Sequence, residues 1–258
     1  MKKKTDMLRK LYIITVHVAQ TIISYILFLK KFIQKKRCLS DSRFQCLWKD
    51  RKVCLHDKTE TTVFDAHYIY HTAWAIRQVK NFAPKQHVDI GSSLYFVAAI
   101  SAYVPTAFYD YRPAPLTIDN LKTGSGNLLS LDFSDNSIES LSCLHVIEHI
   151  GLERYGDPFD PQGDLKAIAE LKRVIKPGGR LFLAVPMGGT SRIQYNAHRI
   201  YSYKHFISNF TNFMVIDFSF ITDSGKFIKE ATPQSTYNQF YGCGCFAMQK
   251  NDESQRVI

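Results

Sequence analysis

The sequence predicts an α/β fold, a mostly parallel sheet with helices on both faces, carried behind a basic, apolar N-terminal segment. Three observations lead there. Apolar runs of strand length alternate with helix-periodic stretches from about residue 66 onward; acidic residues fall at successive strand ends; and nearly all the excess charge sits in the first 37 residues. A chain of 258 residues has room for one sizeable α/β domain plus an appendage, and 45% apolar content is enough for a full core.

The net charge of +10 is unevenly placed. Residues 1–37 hold ten Lys or Arg (Lys2, Lys3, Lys4, Arg9, Lys10, Lys30, Lys31, Lys35, Lys36, Arg37) against Asp6 alone, so that segment carries +9 and the remaining 221 residues only +1. A near-neutral body does not offer the phosphate-tracking surface that nucleic-acid binding needs, so no nucleic-acid partner is expected. The six cysteines contain no CxxC pair, and Cys243-Gly-Cys245 is too tight for an ordinary zinc knuckle. Both fall in an apolar strand-like run, where cysteine packs as a small hydrophobe, and reduced thiols of a cytosolic domain are expected.

Between the basic clusters, LYIITVHVAQTIISYILFL (residues 11–29) has no charged side chain and is long enough to cross a bilayer. Lys10, His17, Gln20, Thr21, Ser24 and Lys31 share one helical face, and five basic residues flank each side, so the positive-inside rule gives no orientation. Three readings stand: a spanning anchor, a helix lying in the headgroup plane with its lysines on anionic lipid, and a helix packed on protein. The first two make residues 1–37 membrane-associating, with the remainder on the cytoplasmic face. Residues 38–65 read as a linker, and 66–258 as the α/β domain.

Within that domain, residues 66–82 (AHYIYHTAWAIRQVKNF) form a helix stopped before Pro84. The strand HVDI follows and meets Gly91. LYFVAAISAY is a helix closed by Pro105, and TAFYDY a strand ending at Asp110. A turn-rich stretch containing NLLSLDFSD supplies a third strand ending at Asp132-Phe133, and SLSCLHVI is the fourth. LKAIAELKRVI is a helix ended by Lys176-Pro177-Gly178-Gly179, before the strand RLFLAVP. A helix after Ser202 and the strands NFMVIDFSFI and GCGCFAMQK complete seven strands, with the last expected antiparallel.

Ligands of open α/β sheets lie beyond the carboxyl ends of the strands. Gly91 lets the chain turn sharply after Asp89, and Ser92 and Ser93 open the next helix, whose amides point at a ligand. Asp110, with Tyr111 beside it, lies 19 residues after Gly91 at the next strand end, where a carboxylate can accept both hydroxyls of a ribose. Asp132 can accept from an adenine amino group and Phe133 can cover the ring; alternatively they are a turn acid and a core aromatic. The fourth strand runs into His145-Val-Ile-Glu148-His149. The same spelling, HxxEH, serves zinc in inverzincins, but there both histidines ride one helix. Here the first ends a strand, so no metal is expected. The open readings are a buried histidine pair lining a pocket, or a base beside an acceptor hydroxyl, with His145, Glu148, His149 and His198 as the candidate catalytic set. Asn196, His198 and Arg199 follow the fifth strand on the acceptor side and can bind a polyhydroxyl or anionic substrate, or Arg199 can be a loop salt bridge.

The strings DIGSS, FYDYRP, LSLDFSDNSIESLSCLHVIEHIGLERYGDPFDPQGDLKAIAELKRVIKPGGRLFLAVPMG and YNAHRIYS, over about residues 85–205, resemble a family catalogued only as a domain of unknown function and placed among the class I S-adenosylmethionine-dependent methyltransferases. The resemblance implies a Rossmann-like class I methyltransferase fold with seven strands and S-adenosylmethionine as cofactor. It implies Asp89, Gly91 and Ser93 at the cofactor's methionine side, Asp110 on the ribose, and Asp132 with Phe133 on the adenine. Relatives group with surface-polysaccharide assembly, which implies methyl transfer to an oxygen or nitrogen of a surface glycan or its lipid-linked precursor. The usual loop glycines are replaced by Ser93 and Tyr95, whose side chains are expected to narrow the cofactor's approach. A membrane-anchored scaffold that keeps the fold without turnover is the alternative.

Overall fold

A computed structural model describes residues 2–40 and 44–252, with side chains from residue 12 onward except those of 13 and 37. The side chains of Lys2, Lys3, Lys4, Asp6, Arg9, Lys10 and Arg37 therefore lie outside the described set. The chain divides into two compact units, residues 1–63 and 64–258.

The first unit is built on one helix, α1 (Lys2–Leu39), which runs past both ends of the apolar stretch and through the basic clusters. Its part Ile14–Lys36 is long and apolar enough to cross a membrane. Ile14, Val18, Ile22, Ile26 and Ile33 are exposed on it. The segment that follows α1 is not bare linker. A short 3-10 turn at Trp48–Asp50 sets the Trp48 ring edge-on to Phe32 at 5.0 Å, with Arg51 over its face.

The second unit begins where Asp65 caps α2 (Ala66–Phe82), its carboxylate accepting the Tyr68 amide; the helix ends at left-handed Ala83 before Pro84. His71, Trp74, Ala75 and Val79 are its buried face, at helical spacing. Next come β1 (His87–Ile90), α3 (Leu94–Ser101), β2 (Thr106–Asp110), β3 (Leu121–Ser125), β4 (Ile138–Leu144), α4 (Gly163–Val174) and β5 (Ile175–Met187). A hairpin of β6 (Arg192–Gln194) and β7 (His198–Ile200) leads to α5 (Tyr203–Ile207), β8 (Phe213–Ile221), β9 (Phe227–Ile228) and β10 (Gly242–Lys250). The main sheet has the order β3-β2-β1-β4-β5-β10-β8-β9. Pairing is parallel from β3 to β5, and β10 inserts antiparallel between β5 and β8, as expected of the last strand.

The sheet has eight strands rather than the expected seven, because the two-residue β9 pairs with the end of β8. The third strand is also misplaced by the sequence pattern. It is the half-exposed LKTGS of β3, which carries no apolar run, whereas the apolar NLLSLDF is a loop. Leu128 and Leu131 of that loop drop into the core, and its carbonyls at Leu131 and Phe133 find the Arg173 guanidinium instead of a neighbouring strand. β5 starts five residues earlier than its apolar run. Ile175 already pairs with Ile138, and Lys176–Gly179 bulges out before the ladder resumes at Arg180 opposite Ser140.

Alternation along β5 divides the core between the two faces of the sheet. Leu181, Leu183 and Val185 face the cluster containing Ile168, Leu171, Phe206 and Phe246; Phe182 and Ala184 face that of α2 and α3, with Cys243 and Cys245. The bulge yields a prediction. A Cβ at Gly179 would lie 2.8 Å from the Lys176 carbonyl oxygen and 3.0 Å from those of Ile138 and Glu139, backbone atoms that cannot retreat singly. Gly179→Ala is expected to cost about 1–3 kcal/mol in urea unfolding; an unchanged midpoint would show that the bulge is slack.

Candidate functional site

The site is built where β1 and β4 end side by side, and a buried polar lace fixes both ends. Asp89 is fully buried and accepts from the Ser92 amide at 3.0 Å and from the Ser142 hydroxyl of β4. Since Ser142 donates to Asp89, its oxygen takes the His87 Nε2–H at 2.8 Å, and His87 Nδ1 accepts from Ser140 at 2.8 Å. The Ser92 hydroxyl oxygen accepts the Leu144 amide at 3.0 Å. Burial lifts the Asp89 carboxyl to about 7 against these hydrogen bonds, and lowers His87 to about 3. Asp89 and Ser92 are thus tied inward to β4.

Above the lace the chain turns at Gly91, with φ 71°, and its amide donates to the Tyr109 carbonyl at 2.8 Å. A Cβ there would press on Val146 at 3.1 Å and fill the floor between Asp110 and Val146. Ser93 has φ −65° and ψ 143°, open to any residue, and its hydroxyl accepts from the Phe96 amide as the cap of α3. Tyr95 is 88% exposed and points away. Neither position is in a conformation that needs glycine; Ser93 bounds the adjoining cavity, whereas Tyr95, expected to narrow it, lines neither that cavity nor the second one beside it.

The resulting cavity is about 400 Å³, bounded by Gly91, Ser92, Ser93, Asp110, Tyr111, Asn127, Leu128, Leu129, Val146 and His149. Asp110 accepts the Arg112 amide at 2.7 Å through Oδ1, which leaves Oδ2 toward Gly91. Asp132 and Phe133 are not in this cavity. Asp132 is exposed, and Phe133 packs edge-on against Tyr109, because their segment is a core-covering loop; Asn127 to Leu129 occupy the wall expected of them.

A second cavity of about 330 Å³ shares the walls Tyr68, His145, His149 and Tyr155 with the first, and adds His67, Glu148, His198 and Tyr241. His145 leaves β4 with φ 58°, and Ile147–His149 is only one 3-10 turn, so the two histidines do not share a helix face as a zincin pair would. His145 Nδ1 meets Glu148 Oε1 at 2.9 Å, and its Nε2 meets Cys243 Sγ at 3.3 Å. Burial opposes charge on His145, but the contacts with Cys243 and Glu148 outweigh it and the imidazolium is favoured. The Cys243 thiol itself is pushed well up by burial, so the neutral-pH support comes from the Glu148 carboxylate. His149 Nδ1–H donates to the Ala197 carbonyl at 2.8 Å, which turns Nε2 toward Glu148 Oε1 at 3.8 Å, and burial lowers this histidine. His198, lowered by burial too, stacks on Tyr241; its Nε2 and Glu148 Oε2 are buried without a partner among the described residues.

His145, Glu148, His149 and His198 thus come together. Asn196 does not join them: it is the exposed, left-handed turn residue of the β6–β7 hairpin. Arg199 is buried and spent on structure, donating to the Ile150 and Pro161 carbonyls at 2.7 and 3.1 Å and pairing with Asp164 at 3.3 Å. Of its two readings the structural one is correct. Sequence reasoning missed His67, Tyr68, Tyr155 and Tyr241, which come from three separate segments of the chain and share no motif; Cys243 and Cys245 pack in the core as expected.

Comparison with known proteins agrees with this architecture. The family described as "Caenorhabditis protein of unknown function, DUF268" matches residues 120–239. The structure resembles the YcgJ protein of Bacillus subtilis (15% identity, 71% of this chain and 99% of that one, TM-score 0.51). It also resembles the N-methyltransferase NodS of Bradyrhizobium japonicum, solved with S-adenosyl-L-homocysteine (10% identity, 72% and 88%, TM-score 0.50). No curated protein matches the sequence. These likenesses define the fold: a Rossmann-like methyltransferase fold with a mostly parallel central sheet.

The lace predicts a pH signature. A carboxyl raised in the folded state stabilises the fold fully below its unfolded value of 3.8, and that contribution is lost as pH rises to about 7. The unfolding free energy of the wild type relative to Asp89→Asn should therefore fall between pH 4 and 7 and level off above. A difference independent of pH would mean that Asp89 ionises freely.

Proposed function

We propose that the protein transfers a methyl group from S-adenosylmethionine to an oxygen or nitrogen of a membrane-proximal acceptor, a surface glycan or its lipid-linked precursor. The observation that carries the reading is the pairing of the Gly91 turn with Asp110 at adjacent strand ends, opening on a cavity that His149 also lines. The residues suit the cofactor. The floor that a Cβ at Gly91 would fill gives close backbone approach, and Asp110 Oδ2, with no hydrogen bond among the described residues, suits a ribose hydroxyl. Asn127, Leu128 and Leu129 offer the wall for the base, and Ser92 and Ser93 the end nearest α3. When bound, the cofactor supplies an electrophilic methyl group; the protein's part is orientation and proton handling.

The acceptor belongs in the second cavity. With Nδ1–H committed to Ala197, His149 presents the Nε2 lone pair, and its lowered pKa keeps that lone pair free at neutral pH. It receives the acceptor's proton as the methyl moves, and the Glu148 carboxylate at 3.8 Å steadies the imidazolium formed. Tyr68 and Tyr155 line the wall that the two cavities share and present their rings to the junction. His198 Nε2, without a partner, remains to orient acceptor hydroxyls.

The membrane context rests on the first unit: residues 1–37 associate with a bilayer through the exposed isoleucines of α1 and the flanking lysines, with the α/β unit on the cytoplasmic face. The full chain is expected to sediment with anionic vesicles, whereas a chain lacking residues 1–37 stays in solution; equal sedimentation would remove the anchor.

Calorimetric titration with S-adenosylhomocysteine tests the cofactor assignment. One site is expected, weakened about ten- to hundredfold by Asp110→Ala; no binding at millimolar ligand would overturn it. His149→Ala should leave that affinity intact and slow methylation of an alcohol acceptor about a hundredfold, and an unchanged rate would remove His149 from the chemistry.

A further inference from the structure

Three side chains to which the proton transfer assigns no part converge beside the second cavity, one of them, His145, on the wall that both cavities share. His67 comes from the first turn of α2, His145 from the end of β4 and Cys243 from β10, and their donor atoms lie within 4.8 Å of one another. We propose that His67, His145 and Cys243 form a binding site for a divalent transition metal of zinc's preference. The fourth position faces the second cavity, which His67 and His145 line.

The donor chemistry selects the ion. Two imidazoles and a thiolate suit zinc and its neighbours and reject magnesium and calcium, which want oxygen. The His145–Cys243 separation of 3.3 Å is close to the roughly 3.5 Å edge that Zn–N and Zn–S bonds subtend in a tetrahedron. His67 is half-exposed at a helix end, and metal binding draws its ring inward to close the set.

Two further observations point to a ligand. Glu148 Oε1 holds His145 Nδ1 at 2.9 Å, the outer carboxylate that fixes a metal-binding imidazole in its Nδ1–H form and leaves Nε2 to coordinate. Beside the set, His71 is fully buried one turn along α2 from His67, its ring centroid 4.9 Å from that of His145, and neither of its nitrogens has a partner among the described residues. Unpaired imidazole nitrogens in a core are costly without a ligand nearby to justify the polar cluster. A His-x3-His pair on one helix face is also a pattern that metal sites use. Binding is a plain proton exchange: the Cys243 thiol and the His145 imidazolium at Nε2 each lose one proton to solvent as the sulfur–metal and nitrogen–metal bonds form, with no change of oxidation state. The site shares His145 and Glu148 with the methyl-transfer reading but needs neither Gly91 nor Asp110, so the two can fail separately.

Cobalt(II) titration of the full chain, stripped with chelator, tests it. One equivalent should give a thiolate-to-cobalt charge-transfer band in the near ultraviolet together with visible bands of tetrahedral intensity, and stoichiometric zinc should abolish both. Cys243→Ser should remove the charge-transfer band, and His67→Ala, at a half-exposed position whose ring packs only on His145 and Tyr241 among the described rings, should weaken cobalt binding at least about tenfold. Cys245→Ser, whose sulfur is 4.0 Å from that of Cys243, should keep the spectrum. Absence of the band in the wild type, its persistence in Cys243→Ser, or unchanged cobalt affinity in His67→Ala would overturn the proposal.

Discussion

The buried carboxyl of Asp89 is the constraint on which the rest of the site depends. A group that burial pushes to about 7 is an expensive thing to place under a sheet. Its return is positional. Through Ser142, Ser92 and the Leu144 amide it locks the carboxyl ends of β1 and β4 into one register, and His87 extends the lock to Ser140. With those ends fixed, Gly91 must turn outward above them and His145 must leave β4 in a left-handed conformation. The first creates the floor of one cavity; the second throws His145 across to Glu148 and Cys243, on the wall of the other.

The two cavities are consequently one construction. Tyr68, His145, His149 and Tyr155 belong to both, so whatever occupies the first approaches the histidine cluster of the second across a shared wall. Arg199 secures this arrangement from below. By tying the carbonyls of Ile150 and Pro161 and the Asp164 carboxylate together, it fixes the segment between the 3-10 turn and α4, and β7 carries His198 alongside it. A substrate role for this arginine would have left those carbonyls without a donor.

Much of this was legible in the sequence. Alternating runs located α2, β1, β2, α4, β8 and β10 closely, because each is either wholly buried or has a clean apolar face. The Gly91 turn and Asp110 were legible because strand-end chemistry is local. What failed was non-local. The edge strand β3 has no apolar run to announce it, while NLLSLDF looks like a strand only until Arg173 is seen to satisfy its carbonyls. Asp132 and Phe133 were misassigned for that reason. Arg199 was ambiguous for want of its partners on another loop, and the convergence of His67, His145 and Cys243 arises from the sheet order, which no spacing encodes.

The lace fixes the cavity at the ends of β1 and β2 that we propose for the cofactor, and the one across His145 and His149 that we propose for the acceptor. A crystal structure of the full chain soaked with S-adenosylhomocysteine tests this assignment most directly. The nucleoside is expected in the first cavity, with its ribose on Asp110 and its sulfur directed toward the shared histidine wall. Ligand density confined to the second cavity, or a first cavity left empty at saturating ligand, would contradict it.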